Sequence, residues 1–240
     1  MRAAVMNMLG FYVVVGVSVL VRAAVSRLPP DACRSIDVGD VLLGVILVAT
    51  WFATGREPSA VFGISGRVLE PNVLYASAAV TLALAGANMA VHERIKRRHG
   101  DWMRKAGVNP GGAFLAVSAL PFGQAVLAGL AYTSSGALLE ELVFRWLLMG
   151  WATRAGGRAI GMAVQAVLFG LVHAVPMAAH RAPGLITSYA FVMPFTCALA
   201  FGWLTRSSGS AMYAWLVHWA LNYIALVWAL LAARREPCAS

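Results

Sequence analysis

Acidic side chains are scarce in this chain: of 240 residues, 10 are Asp or Glu against 19 Lys or Arg. Eight of the ten sit at positions 31 to 101 and at 236, so from residue 102 to residue 235 only Glu140 and Glu141 carry a negative charge. Charged residues of either sign make up 12% of the sequence and hydrophobic ones 60%. So few polar faces exclude a soluble helical core. The three cysteines, Cys33, Cys197 and Cys238, form no Cys-x-x-Cys and imply neither a disulfide frame nor a metal knuckle. A Gly-x-Ser-x-Gly elbow is missing, which disfavours serine chemistry. His-Glu-x-x-His is missing as well, which lowers the weight of a zinc protease. The net charge of +9 is not matched by aromatic interleaving, since the main basic cluster, His92 to Lys105, holds one tryptophan. Nucleic acid is therefore not expected as a partner, and the cluster fits lipid headgroups better. Internal repeats of 20 to 50 residues are not evident.

What the chain has in abundance is apolar runs long enough to cross a bilayer, which takes roughly 20 residues as a helix. Eight can be drawn, at about 4–21, 38–54, 73–91, 113–133, 135–152, 158–175, 184–204 and 211–232. The expected fold is all-α, a polytopic transmembrane bundle of about eight spans with a four-helix catalytic core in the C-terminal half. Residues 1–112 hold spans one to three and a basic loop, and residues 113–240 the catalytic membrane core. The break at Tyr132-Thr-Ser-Ser-Gly136 predicts a tight helical hairpin between spans four and five. Pro121 and Pro194 predict kinks or breaks within spans four and seven. Counting Lys and Arg on alternate sides gives twelve against six, which puts the loops after spans one, three, five and seven in the cytoplasm and both termini outside. The localisation expected is multi-pass integral membrane, in a bacterial inner membrane.

Burying two carboxylates costs several kcal/mol unless something uses them. Glu141 and Arg145 are four apart and share a helix face, with the glutamate on the favourable N-terminal side. Glu140 is turned about 100° away, so the two carboxylates cannot both meet Arg145. The division expected is Glu141 paired with Arg145 and Glu140 left free as a base for water. His92, His99 and His180 read as solvated surface imidazoles. His173 and His218 fall inside predicted spans, with Phe169 one turn before His173 and Asn222 one turn after His218. A carboxylate, two imidazoles and a carboxamide suit activation of water and stabilisation of the oxyanion of an attacked amide. Metal chemistry stays open here, since Glu140, His173 and His218 could hold a zinc with water in the fourth place.

Glu140-Glu141-x-x-x-Arg145, Phe169-x-x-x-His173 and His218-x-x-x-Asn222, in this order on successive hydrophobic spans, resemble the CAAX-protease and bacteriocin-processing family of intramembrane endopeptidases. That family includes the eukaryotic prenyl-protein endopeptidase, and the likeness covers about residues 130–230. It implies an endopeptidase that cuts a client protein or peptide, near its C-terminus. No cofactor is expected, and zinc is the disfavoured alternative, because Asn222 is a natural oxyanion donor and a poor zinc ligand. In family terms Glu140 and His173 activate the water, His218 and Asn222 form the oxyanion hole, and Glu141, Arg145 and Phe169 support them. The partners implied are a protein or peptide substrate and the lipid bilayer. A non-catalytic immunity or scaffold protein of the same fold is the alternative, and a proton-coupled transporter is weakened by the lack of inverted repeats.

Overall fold

The computed structural model describes residues 71–106 and 120–235. Every element among them is helical. Spans one and two of the sequence reading lie outside the described residues. Helix α1 spans Pro71–Ala106, α2 Phe122–Glu141, a π-helical segment Leu142–Met149, α3 Gly150–Gly156, α4 Arg158–Ala179, α5 Gly184–Ser208 and α6 Met212–Arg235. Four of these, α1, α4, α5 and α6, are long and apolar enough to cross a membrane. Large apolar side chains such as Leu82, Val172, Val192 and Trp203 stand exposed along them, as a bundle facing lipid requires.

Two expectations about boundaries are corrected. The basic cluster was expected as a loop, yet α1 runs on through it to Ala106, with non-helical angles only at His99 (φ −132, ψ 17). Glu93 and Arg97 are four apart in the order that supports a helix, and Ile95 is fully buried, so this stretch has both a local and a packing reason to stay wound. The predicted hairpin at residues 132–136 does not form. Helix α2 passes straight through it, and the backbone stays right-handed helical through the π segment into α3. Residues 122–156 thus make one continuous rod of about 50 Å at 1.5 Å per residue.

The physical reason is that the turn-forming residues are satisfied inside the helix. Thr133 donates its hydroxyl to the carbonyl of Gly129 at 2.7 Å, as threonines do within apolar helices. A loop at that depth would instead leave backbone groups without water or partners. If the rod counts as one crossing, the sides alternate differently after it. Arg154, Arg158 and Arg206 then trade sides with Arg181, Arg234 and Arg235, so the count remains twelve against six. On the same rule the expectation for the basic end of α1 is still the cytoplasm, now shared by the end of α6.

The prolines divide. Pro121 stands at the N-cap of α2, where the helix begins, its carbonyl accepting from Ala125 at 2.8 Å and its missing N–H costing nothing. The part of span four before residue 120 lies outside the described residues. Pro194 does lie inside α5, which nonetheless continues from Gly184 to Ser208.

Turns between the later helices are short. Gly157 joins α3 to α4 with φ 86, a conformation that only glycine adopts without strain. Ser210 caps α6, its hydroxyl accepting from Met212 N at 3.1 Å. Neighbouring helices approach closely: a Cβ on Gly170 of α4 would lie 2.8 Å from the Phe191 ring of α5. Polar side chains add fixed points. Gln165 of α4 donates to the carbonyl of Ala198 in α5 at 2.9 Å, and the Tyr189 hydroxyl of α5 donates to the Asn88 carboxamide of α1. On α6, Trp215 and Trp219 donate their indole N–H to the carbonyls of Ser134 and Leu130, each at 3.0 Å. This last pair clamps α6 against α2, which brings the second histidine motif to the glutamates.

Candidate active site

The site gathers where α2 gives way to the π segment. Wider π turns are rare and often accompany functional positions. This one carries Arg145, which is 2% exposed. Arg145 Nε lies 2.9 Å from Glu141 Oε2, with both side chains fully buried. Neither atom meets hydrogen-bond geometry, so we describe the pair as an ionic contact. The terminal nitrogens of Arg145 have no hydrogen-bond partner among the described residues. They are covered instead by aromatic faces: the guanidinium carbon is 5.3 Å from the ring centre of Phe169 and 5.3 Å from that of Phe201. Such contacts are worth about 2 kcal/mol when desolvated.

Glu141 has a second partner that its sequence neighbourhood does not announce. Its Oε1 accepts from His218 Nδ1 at 2.8 Å. A carboxylate only accepts, so Nδ1 carries the proton and Nε2 is the nitrogen left to act. On that other side stands Glu140, whose Oε2 is 3.8 Å from His218 Nε2. The Glu140 side chain is 24% exposed, unlike that of Glu141, and its Oε2 makes no hydrogen bond among the described residues. At 3.8 Å the two atoms are too far apart to bond directly, and a water placed to one side reaches both.

His173 and Asn222 are half-buried. His173 donates from Nδ1 to the carbonyl of Phe169 at 2.7 Å, which leaves its Nε2 as an acceptor when the ring is neutral. Its ring sits 4.7 Å from that of Phe169, and Phe169 in turn meets the His218 ring edge-on at 5.7 Å. Phe169 therefore separates and spaces the two imidazoles. The structure brings Glu140, Glu141, Arg145, Phe169 and His218 into one contact set. His173 joins it through Phe169 and lies within ion-pair distance of neither glutamate, while Asn222 follows His218 by one turn of α6.

Among the described residues no three of His, Cys, Asp or Glu come together closely enough to hold a metal ion. The zinc set of Glu140, His173 and His218 is thus not assembled, and no chemical step is routed through it here.

Two side chains at the site carry no signal in the sequence. Phe201 of α5, 1% exposed, stacks on His218 at 5.0 Å and 26°. Phe144 of the π segment packs edge-on against Phe169 at 4.8 Å. An apolar residue in an apolar helix looks the same whether it faces lipid or an imidazole.

With this geometry in view, comparison with known families is informative. The model of the Rce1-like family, type II CAAX prenyl endopeptidases, matches residues 121–224. Over that stretch the chain is similar to the Rce1-like family. The match opens at the residue that caps α2 and closes within α6, so it takes in all seven residues of the three motifs. No curated protein and no solved structure matches the chain. The Rce1-like likeness and the four helices long and apolar enough to cross a membrane point to an integral membrane protein.

Proposed function

We propose that this Rce1-like protein is an intramembrane endopeptidase of bacterial inner membranes that cuts a client protein or peptide near its C-terminus. The observation that supports it most is that Glu141 and Glu140 flank the two ring nitrogens of one histidine, at 2.8 and 3.8 Å. A packing network needs one carboxylate there; the second stays open to water.

In the mechanism we infer, Glu140, with His173 beside the cleft, takes a proton from water while the water oxygen bonds to the scissile carbonyl carbon. The carbonyl oxygen becomes an oxyanion, met by the Asn222 carboxamide and by the Nε2–H of a doubly protonated His218, whose second proton sits on Nδ1 against Glu141. As the tetrahedral species collapses the C–N bond breaks, and the proton held by Glu140 passes to the leaving amine. Glu141 keeps the His218 proton on Nδ1, and Arg145 keeps Glu141 in place. No metal takes part. Cleavage by purified protein is expected to be unchanged by a chelator; loss that zinc restores would overturn the metal-free scheme.

The decisive comparison is of C-terminal peptides of membrane and secreted proteins from cells with the native chain and with Glu140→Gln. C-termini shortened only with the native chain are expected. Identical termini beside an unchanged phenotype would instead support a scaffold or immunity protein.

A further inference from the structure

We propose that Phe201 is a positioning residue for His218, which brings α5 into the active site; the proposal rests on the endopeptidase reading above. None of the seven motif residues lies on α5. The hydrogen bond from Nδ1 to Glu141 fixes one atom of the His218 ring, but one bond leaves the ring plane free to rock, and rocking moves Nε2 relative to Glu140. Two aromatic rings remove that freedom. Phe201 lies along one face of the imidazole at 5.0 Å and 26°, and Phe169 closes the other approach edge-on at 5.7 Å and 75°.

The same Phe201 ring also covers the Arg145 guanidinium. Arg145 holds Glu141 and Glu141 holds His218. One side chain therefore touches the first and last members of that relay. Aliphatic neighbours from the same helix and from α6, such as Leu204 and Val217, fill space in the same cluster without a ring contact to the imidazole. What sets Phe201 apart is its face, not its volume.

The test uses the full chain in detergent micelles with isotope-labelled histidine, His218 signals being assigned by their loss in His218→Gln. Phe201→Met keeps most of the volume and removes the ring; Phe201→Leu is read in the same way should the first variant fold poorly. Leu204→Ala is the packing control, since Leu204 is fully buried in the same cluster. In the Phe201 variant the His218 ring protons are expected to move downfield as the aromatic shielding is lost, and the Nε2 signal to broaden. With a quenched fluorescent peptide ending in a farnesylated Cys-a-a-X sequence as probe, kcat is expected to fall about ten- to a hundredfold at nearly constant KM. Leu204→Ala should lower the melting temperature and leave the His218 signals in place.

The proposal is overturned if the His218 signals of the Phe201 variant coincide with those of the native chain. It is equally overturned if Leu204→Ala moves them as far, or if they move and kcat does not. A native chain inert toward the probe would count against the endopeptidase reading for that substrate. The width of the His218 Nε2 signal, which needs no substrate and which loss of ring shielding alone does not change, would still decide whether Phe201 orients His218.

Discussion

The two sides of the site differ in how firmly their polar groups are held. On the Glu141 side the carboxylate meets Arg145 at 2.9 Å and His218 at 2.8 Å, all three side chains are buried, and two aromatic rings cover the guanidinium. On the Glu140 side the side chain is a quarter exposed, its buried Oε2 has no hydrogen-bond partner among the described residues and stands 3.8 Å from His218 Nε2, and Asn222 is half-buried. In the proposed mechanism these adjacent residues of one helix take opposite tasks: the held side sets geometry and the open side meets water and substrate, as in a preorganised site whose supporting contacts are satisfied in advance and whose reacting groups are not.

The sharpest way to break this contrast is to neutralise each carboxylate in turn. Glu140→Gln is expected to reduce cleavage by about a thousandfold or more, the scale of losing a general base together with its charge, with no fall in thermal stability because no buried partner is orphaned. Equal activity in that variant, measured on the fluorescent peptide or on client C-termini, would end the assignment. Glu141→Gln should do the reverse. It leaves Arg145 buried without its counter-charge, which costs about 3–5 kcal/mol, so thermal unfolding should drop sharply. Stability that fell equally in both variants would erase the division between the two sides.

That division was partly legible in the sequence. The four-residue spacing pointed to Glu141 as the partner of Arg145, and the 100° turn set Glu140 apart, because both follow from helix geometry alone. The bond from Glu141 to His218 was not legible, since it spans 77 positions and depends on how α6 packs on α2. The sequence reading paired Glu140 with His173, whereas the imidazole nearest to Glu140 is that of His218. The helical class was readable from hydropathy, yet the hairpin at residues 132–136 was not real. Serine, threonine and glycine signal a turn where water can take the freed backbone groups, and in an apolar surrounding the same residues bond back into their own helix. Phe201 left no trace at all, for an aromatic ring in an apolar span has no pattern to betray which neighbour it faces.

A smaller effect separates binding from chemistry on the open side. Asn222→Ala removes a donor that acts on charge developing in the transition state, so kcat should fall about a hundred- to a thousandfold with KM little changed. A rise in KM at constant kcat would make Asn222 a substrate-binding group instead and move the oxyanion hole elsewhere.

The smallest expected effect tests the clamp that brings the two sides together. Trp215 and Trp219 stack on each other at 5.9 Å and 12°, and both donate to carbonyls of α2. Replacing Trp219 by Phe keeps most of the ring area and deletes one N–H. Hydrogen bonds between membrane helices average about 0.6 kcal/mol, so stability should hardly move. Activity is the finer gauge, because α6 carries His218 and Asn222 while α2 carries both glutamates, and a small slip of one helix along the other displaces the open side first. Glu141 and His218 remain tied to each other directly, whereas Glu140 and Asn222 depend on the helix register alone. Trp219→Phe should therefore lower kcat a few-fold, about what a slip well under 1 Å costs in a positioned site, with the melting temperature nearly unchanged. A loss of stability without a loss of rate would mean that the indoles hold the bundle together and leave the register of the site to other contacts.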